Sequence, residues 1–377
     1  MGAAHSTDDY AGTFLSRFAR LQNDFRGDYI FGHAGYGLKK ETEGVQSVYA
    51  SQDGFADLFF FVPALIVLRK NDEWHCGYFE EAKAGELLSF IHKKENTSSS
   101  ATVELLPVTS QHEYETRCRS LLKHIHRGDI YEINYCIDFT GKSAAIDPVE
   151  MFRRLQALSD APMSALYRCN QAWLACASPE RFVARNGNTL ISQPIKGTIR
   201  RGADEQEDEL LKEQLRSDPK ERSENVMIVD LVRNDLSRVA MKGSVRVTEL
   251  FGIHTFRTVH QMISTIACEV KPGVNVEDIF RAAFPMGSMT GAPKISAMKL
   301  AETHENQSRG IYSGTVGYIT PEGDFDFNVV IRSITWNSET GHVSAKAGSA
   351  ITALSDPGKE YEECLLKAKA MMRALQQ

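Results

Sequence analysis

Residues 217–240 read S-D-P-K-E-R-S-E-N-V-M-I-V-D-L-V-R-N-D-L-S-R-V-A, and the rest of the chain is best understood from this stretch. Asp218 is a typical helix N-cap, and Pro219 suits the first helical position, where its missing N–H leaves no hydrogen bond unmade. The pattern therefore predicts a helix that starts at Pro219. At about 100° per residue, Glu221 and Glu224 lie on the same side as apolar residues further along the helix. A carboxylate on the buried face of a helix needs a cation or a hydrogen-bond donor as its partner.

A second segment near the C-terminus repeats this pattern. Residues 355–367 read S-D-P-G-K-E-Y-E-E-C-L-L-K, so an S-D-P start is again followed by K-E-x-x-E. Glu360 and Glu363 therefore correspond to Glu221 and Glu224. Carboxylates that converge from two helices repel each other unless a divalent cation lies between them, and few protein ligands with open positions are typical of Mg²⁺ held with an anionic substrate. The alternative is two solvated acidic helix starts, which the helix dipole favours.

Composition and charge narrow the class of protein. The chain has 377 residues, of which 42% are hydrophobic and 24% charged, with a net charge of −6. Because it has no basic block, we expect no nucleic acid partner. The longest apolar run, residues 58–68, is too short to cross a bilayer, so we expect no membrane association and interpret the run as a buried strand. Seven cysteines without a C-x-x-C pair, and no signal segment, favour a reducing cytoplasm.

The order of predicted elements favours an α+β fold. Hairpin-like neighbours among the strands, with helices in runs between them, favour antiparallel sheets over a doubly wound parallel sheet. In the N-terminal part, residues 82–94 are predicted to form a helix. Near the C-terminus we predict strands at residues 310–319, 324–336 and 341–347, followed by a last helix.

Four further residues are candidates for chemistry, and each has an ordinary alternative. Lys196 in P-I-K-G-T-I-R-R-G follows a strand, where most lysines are solvated surface groups. Glu180 in S-P-E-R-F can pair with the adjacent Arg181. His260, between apolar neighbours, is more often a satisfied core histidine than a catalyst. Arg332, in a predicted strand, can be an ordinary edge residue.

A glycine-rich corner precedes a predicted helix. Residues 284–294 read F-P-M-G-S-M-T-G-A-P-K and lack the G-x-x-x-x-G-K-[ST] order of a nucleotide-binding loop. Backbone N–H groups at a helix start still suit an anion such as a carboxylate. These candidates together fit a dicarboxylate substrate. The acids would hold a metal, the N–H groups and Arg332 would bind carboxylates, and Lys196 would be a nucleophile.

Seven motifs follow one another from about residue 128 to the C-terminus. They are S-P-E-R-F, P-I-K-G-T-I-R-R-G, E-N-V-M-I-V-D-L-V-R-N-D-L, G-S-M-T-G-A-P-K, Y-S-G-T-V-G-Y, V-I-R-S and E-x-x-E-x-x-x-K. With these motifs the chain resembles the chorismate-utilising enzymes, which include anthranilate, aminodeoxychorismate, isochorismate and salicylate synthases. The resemblance implies an α+β fold in which large antiparallel sheets pack as a sandwich with helices outside. It also implies a chorismate-binding catalytic region at residues 111–377, with residues 1–110 as a divergent N-terminal part of the same unit.

The resemblance further implies a metal and a set of binding residues. Mg²⁺ would be held by Glu224 and Glu363, with Glu221 and Glu360 near it through water, and would bind the ring carboxylate of chorismate. The residues implied to bind the substrate carboxylates or to line the pocket are Tyr312, Arg332, Gly348, Lys367, Thr290 and Gly291. His260 would lie beside the reacting ring.

Lys196 decides which reaction the resemblance favours. The anthranilate branch has Ala at this position, whereas P-I-K-G-T is the form of the aminodeoxychorismate branch. The amine can attack carbon 2 of chorismate as hydroxide leaves carbon 4, and ammonia then displaces the enzyme. Glu180 is implied as the general acid for the hydroxide and later as a base toward ammonia. Because Lys196 must be deprotonated to attack, we expect its pKa to be lowered by burial or by Arg200 and Arg201.

The implied reaction is amination of chorismate with ammonia to 4-amino-4-deoxychorismate, a step toward p-aminobenzoate and folate. The chain lacks a G-x-C-x-G-type glutaminase segment, so we expect ammonia from a separate glutamine amidotransferase subunit.

Isochorismate and salicylate synthases use a lysine at the position of Glu132, which counts against those reactions. The alternatives are anthranilate synthase component I and a non-catalytic chorismate-binding subunit. Ala350 in place of a family glycine, Leu354 in place of an acid, and Glu132 are the departures that bear on activity.

Overall fold

Two antiparallel sheets with helices packed against them form the architecture. The computed structural model describes residues 3–78 and 102–376, and within these residues one sheet has ten strands, another has seven, and a third is a two-stranded hairpin. The expected α+β fold with large antiparallel sheets is confirmed. The helix predicted at residues 82–94 lies outside the described residues.

The helices and strands of the described residues have the following bounds. The helices are α1 (Phe14–Asp24), α2 (Lys39–Thr42), α3 (Gln111–Arg127), α4 (Pro148–Ser159), α5 (Glu205–Ser217), α6 (Pro219–Ser237), α7 (Val276–Ala283), α8 (Lys294–His304) and α9 (Pro357–Gln376). The strands are β1 (Ala3–Ser6), β2 (Ile30–Ala34), β3 (Leu58–Pro63), β4 (Leu65–Lys70), β5 (Glu73–Tyr78), β6 (Leu106–Pro107), β7 (Glu132–Lys142), β8 (Met163–Cys169), β9 (Ala172–Ser178), β10 (Arg181–Asn186), β11 (Thr189–Gln193), β12 (Ile195–Arg200), β13 (Arg246–Thr255), β14 (Val259–Glu269), β15 (Gly291–Ala292), β16 (Thr315–Ile319), β17 (Phe325–Asn328), β18 (Ser333–Asn337) and β19 (His342–Ile351).

The strand order mixes distant parts of the chain. The ten-stranded sheet runs β1-β3-β2-β16-β17-β10-β11-β14-β12, and β13 also pairs with β14. The seven-stranded sheet runs β15-β7-β19-β18-β9-β8, and β6 pairs with β7. Because β2 pairs with β16, the N-terminal strands share a sheet with strands from the C-terminal part. The division of the chain at residues 110 and 111 stays a prediction.

Alternation along the strands explains why the two sheets face each other. Phe60 of β3 packs in the cluster that contains residues of α1, α6 and α7, whereas Phe59 and Phe61 pack on the opposite face. That opposite face meets Leu174 of β9, a strand of the other sheet, in a shared apolar cluster. The next residue, Ala175, points the other way, into the cluster that contains residues of α3, α4 and α9. Since successive strand residues point to opposite faces, the sheets form a sandwich with helices outside.

The two S-D-P segments both start helices, as predicted. The Asp218 carboxylate accepts hydrogen bonds from the backbone N–H groups of Lys220 (2.8 Å) and Glu221 (3.0 Å) at the start of α6. At the start of α9, Asp356 accepts one from the N–H of Lys359 at 2.9 Å. These bonds satisfy N–H groups that have no partner inside the helix.

Two predicted strands are broken in the structure. Residues 324–336 were expected to form one strand, but β17 belongs to the ten-stranded sheet and β18 to the seven-stranded sheet. The chain crosses between the sheets at residues 329–332, where Arg332 has a φ of 51°. The apolar run at residues 58–68 also divides, into β3 and β4 on either side of Ala64. Residues 329–331 at the crossing are V-V-I, and β-branched residues are typical of strands, which is why the sequence pattern misses the break.

Candidate active site

A cavity of about 380 Å³ opens between the two sheets and the starts of α6 and α9. The structure brings many of the predicted site residues to its lining. They are Glu180, Lys196, Glu221, Glu224, Tyr312, Arg332, Gly348, Glu363 and Lys367. Polar side chains from β12, from the crossing at residues 329–332 and from the starts of α6 and α9 therefore meet in one cavity.

His260, Thr290, Gly291 and Glu360 are not among the lining residues. His260 is fully buried, and its ring nitrogens contact Asp208 at 2.9 Å and the Thr255 hydroxyl at 3.0 Å. This is the arrangement of a satisfied core histidine, which was the alternative for this residue. The predicted role of His260 beside a reacting ring stays a prediction.

Thr290 and Gly291 lie behind the cavity and fix its wall. The Thr290 hydroxyl donates to the Met286 and Gly287 carbonyls, and the Thr290 carbonyl accepts from the N–H of Asn134, which lines the cavity. Gly291 pairs with Ile133 of β7, and a Cβ added there would lie 2.1 Å from the Glu132 carbonyl oxygen. Only glycine fits so close an approach between the two backbones.

Lys196 lies in β12, and its amine is held by an acid from the other sheet. Its Nζ donates to Oε1 of Glu132 at 2.5 Å, and the two side chains are only 10% and 1% exposed. Burial opposes the charge on Lys196, but the carboxylates of Glu132 and Glu224 outweigh it and raise the pKa of the amine above its ordinary value. The expectation of a lowered pKa was wrong. Arg200 and Arg201 do not act on the amine as expected, because they pair with acids of α5.

Glu180 lies between β9 and β10 with its side chain in the cavity. It is 4% exposed, and burial raises the pKa of its carboxyl to about 7, against the opposing effects of Ser288 and Lys196. A carboxyl with this pKa is present in both protonated and ionised forms near neutral pH. Such a group can give a proton in one step and take one in the next.

Arg332 provides a free positive charge at the other side of the site. Among the cations that line the cavity, it is the one whose side chain has no hydrogen bond or ion pair to another of the described residues, whereas Lys196, Lys220, Lys346 and Lys367 are all paired. Burial lowers the pKa of its guanidinium from the ordinary value. A half-buried guanidinium without a side-chain partner is suited to an anionic ligand, with which it can form paired hydrogen bonds.

Lys367 and Gly348 lie next to each other across α9 and β19. The Lys367 Nζ donates to the Gly348 carbonyl oxygen at 2.8 Å and to Glu363 at 2.6 Å. A Cβ added to Gly348 would lie 2.6 Å from Oδ1 of Asn134 and 2.7 Å from Sγ of Cys136. The wall at this position is therefore closely packed, and the Lys367 ammonium is held at the cavity by two acceptors.

The four glutamates of the two helix starts are only partly brought together. Lys220 lies between them, because its Nζ is 3.2 Å from Glu360 and 3.8 Å from Glu224. Within residues 3–78 and 102–376, no three His, Cys, Asp or Glu side chains converge closely enough to hold a metal ion. However, Oε1 of Glu224 and Oε2 of Glu360 are buried without a hydrogen-bond partner. An oxygen-only donor set with such orphaned atoms fits a hard cation such as Mg²⁺.

Two charged residues near the site were not assigned a contact from the sequence. Glu132 pairs with Lys196, and Lys346 lines the cavity while its Nζ contacts Asp138 at 2.7 Å. Both occur in largely buried strands, Glu132 at the start of β7 and Lys346 inside β19. A charge in a buried strand requires a partner, so this was the signal available in the sequence.

Comparison with known proteins decides the family. The chorismate binding enzyme family matches residues 4–373. The chain belongs to this family. It is 35% identical over 384 residues to aminodeoxychorismate synthase, chloroplastic, of Arabidopsis thaliana, with 95% of this chain and 41% of that protein covered. It is 39% identical over 268 residues to aminodeoxychorismate synthase component 1 of Klebsiella aerogenes, with 71% of this chain and 58% of that protein covered.

Anthranilate synthases are also among the relatives of this chorismate binding enzyme. Anthranilate synthase component 1 of Aquifex aeolicus is 36% identical over 267 residues, with 71% of this chain and 53% of that protein covered. The chain thus spans about half the length of the curated relatives it matches. The crystal structure of anthranilate synthase component I from Streptococcus pneumoniae has a TM-score of 0.83 at 25% identity, covering 91% of this chain and 80% of that one.

The fold also matches an isochorismate synthase. The menaquinone-specific enzyme from Escherichia coli has a TM-score of 0.79 at 18% identity, covering 100% of this chain and 85% of that one, and this likeness concerns the fold alone. Among the helices of the described residues, none has the length and apolar character needed to cross a membrane.

Proposed function

We propose that this chain catalyses the Mg²⁺-dependent amination of chorismate with ammonia to 4-amino-4-deoxychorismate, a step toward p-aminobenzoate and folate. The observation that carries the proposal is the buried Lys196 amine in a cavity that also contains Glu180, a carboxyl with a pKa of about 7. A nucleophile and a proton donor in one enclosed site are what a substitution through a covalent intermediate requires. The relatives named aminodeoxychorismate synthase support this reaction.

The cations of the cavity suit a substrate with two carboxylates. Arg332 has no protein partner among the described residues, and the Lys367 ammonium faces the same cavity. We assign these two side chains to the carboxylates of chorismate, together with the Tyr312 hydroxyl and the backbone at Gly348. Fixing both ends of the substrate would place its ring between Lys196 and Glu180.

The proposed chemistry uses Lys196 and Glu180 in turn. The neutral Lys196 amine forms a bond to carbon 2 of chorismate, the ring double bond shifts, and the bond from carbon 4 to oxygen breaks. Glu180 gives its proton to the departing hydroxyl, which leaves as water. Ammonia then forms a bond to carbon 4, the bond between carbon 2 and Lys196 breaks, and Glu180 takes a proton from the new ammonium group.

Mg²⁺ is part of the proposal, with Glu224 and Glu363 as its ligands and Glu221 and Glu360 near it through water. When bound, the ion would hold the ring carboxylate of the substrate and neutralise the surrounding acids. Lys220 would then give up its position between Glu224 and Glu360, where it now balances their charge.

The second candidate reaction is anthranilate synthesis. It is favoured by relatives of that name at 36% identity and by the similar fold of the Streptococcus pneumoniae structure. Lys196 argues against it, because direct attack of ammonia at carbon 2 requires no amine from the protein at that place. We further propose that a separate glutamine amidotransferase subunit supplies the ammonia, as the "component 1" in the name of the Klebsiella aerogenes relative suggests.

Product identity tests the proposal. The purified chain is incubated with chorismate, ammonium and Mg²⁺, and the product is identified by mass spectrometry and chromatography. We expect 4-amino-4-deoxychorismate; anthranilate or isochorismate as the sole product would reject the assignment. Binding of chorismate without turnover would instead favour a non-catalytic subunit.

A pair of lysine variants tests the role of the amine. Lys196→Ala should lower turnover by at least about 100-fold, because the covalent route is lost. Lys212→Ala is the matched control, since Lys212 pairs with Glu209 on the outside of α5 and does not line the cavity. Equal activity of the two variants would remove Lys196 as the nucleophile.

A further inference from the structure

Glu132 makes the closest charged contact of the Lys196 amine. Its carboxylate lies 2.5 Å from the amine, and its side chain is 1% exposed. The contact joins β7 of the seven-stranded sheet to β12 of the ten-stranded sheet across the site. Isolated buried ion pairs stabilise a fold little, because desolvation of both charges offsets their attraction. The pair therefore calls for an explanation beyond stability.

The backbone around Glu132 is held firmly. Ala292 pairs with Glu132, and the N–H of Tyr131 donates to the Ala292 carbonyl at 2.7 Å. Gly291 approaches so closely that an added Cβ would lie 2.1 Å from the Glu132 carbonyl oxygen. The glycine-rich corner thus fixes the strand end from which the carboxylate reaches Lys196.

Other acids face Lys196, but from further away. Glu180 precedes β10 and Glu224 lies on α6, and both act on the charge of the amine. Among the described residues, only Glu132 is within hydrogen-bond distance of Nζ. Its second oxygen, Oε2, is buried and has no hydrogen-bond partner. No hydrogen bond at Oε2 therefore stabilises the ionised form of this carboxylate, and Oε1 can take the proton through its hydrogen bond with Nζ.

We propose that Glu132 positions the Lys196 amine and accepts its proton as the amine attacks the substrate. The inference deepens the proposed function and rests on Lys196 as the nucleophile. The Lys196 ammonium gives one proton to the Glu132 carboxylate, and its freed lone pair forms the bond to carbon 2 of chorismate. When ammonia later releases the neutral amine from carbon 2, Glu132 returns the proton. Both residues then regain their starting charges.

Proton transfer to Glu132 explains how a charged lysine can act as a nucleophile. The neighbouring carboxylates keep Lys196 protonated in the free protein, so a base within reach of Nζ is needed at the moment of attack. Glu132 is in place for this step before substrate binds. A residue that only held the charge of Lys196 would make the amine less reactive, and its removal would not slow the reaction.

Glu132→Gln separates these two roles, because it keeps the shape of the side chain and removes the proton acceptor. We expect turnover at neutral pH to fall by at least about 100-fold, with the KM for chorismate changed by less than about threefold. The turnover of this variant should rise about tenfold per pH unit below the pKa of the amine, because the proton must then leave to water. Glu132→Asp, which keeps the acid, should retain more activity than Glu132→Gln.

The control is Glu209→Gln, which changes an exposed acid that pairs with Lys212 on α5, away from the cavity. Thermal unfolding of each variant shows whether it is folded, and labelling of Lys196 by reductive methylation shows whether its amine has become easier to deprotonate in Glu132→Gln. Easier labelling together with slower turnover supports the inference. Turnover equal to or faster than that of the unaltered protein overturns it.

The lysine variants distinguish this inference from the proposed function. If Lys196→Ala loses activity while Glu132→Gln keeps it, only the role of Glu132 is wrong. If Lys196→Ala keeps activity, or if the unaltered protein makes only anthranilate, the proposed function and the inference that rests on it are both overturned.

Discussion

The starts of α6 and α9 carry one sequence pattern, but the pKa values of Glu224 and Glu363 are shifted in opposite directions. Each helix begins at a proline after an aspartate that accepts a backbone N–H, and each continues with K-E-x-x-E. In α6, burial raises the pKa of Glu224 to about 7. In α9, burial acts on Glu363 in the same direction, but Lys367 outweighs it and lowers the pKa of that carboxyl.

The difference arises from the residue one helical turn further on. Lys367 lies four residues after Glu363 and contacts it at 2.6 Å, whereas the corresponding residue after Glu224 is the fully buried Ile228. Side chains four residues apart share a face, so a cation there stabilises the ionised acid. A repeated motif therefore predicts where a carboxylate lies, but the surrounding side chains decide whether it is charged.

The largest expected effect comes from removing one proposed metal ligand from each helix. Glu224→Ala and Glu363→Ala should each lower Mg²⁺-dependent turnover by more than about 100-fold, because even outer partners of a metal contribute about 10- to 100-fold. Calorimetric titration with Mg²⁺ and steady-state kinetics measure the effect, with the exposed Glu362→Ala as control. If one of the two variants kept full Mg²⁺ affinity, the helices would not share the ion.

Lys367→Met should make the α9 start resemble the α6 start. The pKa of Glu363 should rise, because the cation that lowers it is gone. The KM for chorismate should increase about tenfold, since a hydrogen bond to a charged group contributes about 1.5–3 kcal/mol. Carboxyl-carbon NMR titration follows the pKa, and kinetics give KM. An unchanged KM would remove Lys367 from the substrate site.

Replacing each glutamate by glutamine should shift stability in opposite directions in metal-free buffer at pH 8. The pKa of Glu224 is raised from 4.5 to about 7. Between these two pH values the folded protein binds more protons than the unfolded protein, so its stability falls as pH rises from 4.5 to about 7. At about 1.4 kcal/mol per pKa unit, Glu224→Gln removes a penalty of up to about 3 kcal/mol and should stabilise the protein by an amount of that order.

Glu363 has a lowered pKa, so its ionised form stabilises the folded protein above its ordinary pKa. Glu363→Gln should therefore destabilise the protein, by less than about 1 kcal/mol because the side chain is 40% exposed and screened. Denaturant unfolding of both variants at pH 8 measures the two effects. Changes of the same sign would contradict the difference between the helices.

The smallest expected effect concerns Lys220, which both helix starts share. Its side chain is 38% exposed and lies near Glu224 and Glu360. Lys220→Met should tighten Mg²⁺ binding by about two- to fivefold, because the competing charge contributes no more than about 1 kcal/mol at this exposure. Weaker Mg²⁺ binding in calorimetry would mean that Lys220 supports the metal site and does not compete with it.

The sequence predicted most of the local structure around the site. The helix starts at Pro219 and Pro357 follow from capping chemistry that needs only neighbouring residues, and the structure confirms both. Most of the residues proposed for the site also line one cavity, since motifs mark where strands and helices end.

The charge state of Lys196 was not predictable in this way. Its partner Glu132 is 64 residues away in sequence and belongs to the other sheet, and neither local motif shows that the two side chains meet. The crossing at Arg332 was missed because residues 329–331 just before it are V-V-I, β-branched residues that are typical of a continuing strand. Contacts between the sheets therefore set the electrostatics of the site together with neighbours inside the motifs, such as Lys367 beside Glu363.

The most direct test of covalent capture by Lys196 is the intact mass of the protein after a brief incubation with chorismate and Mg²⁺ without ammonia, followed by acid quenching and peptide mapping. The account predicts an adduct with the mass of chorismate less one water, located on Lys196 and absent in Lys196→Ala. An adduct on a different residue, or amination of chorismate with no adduct at any time, would contradict it.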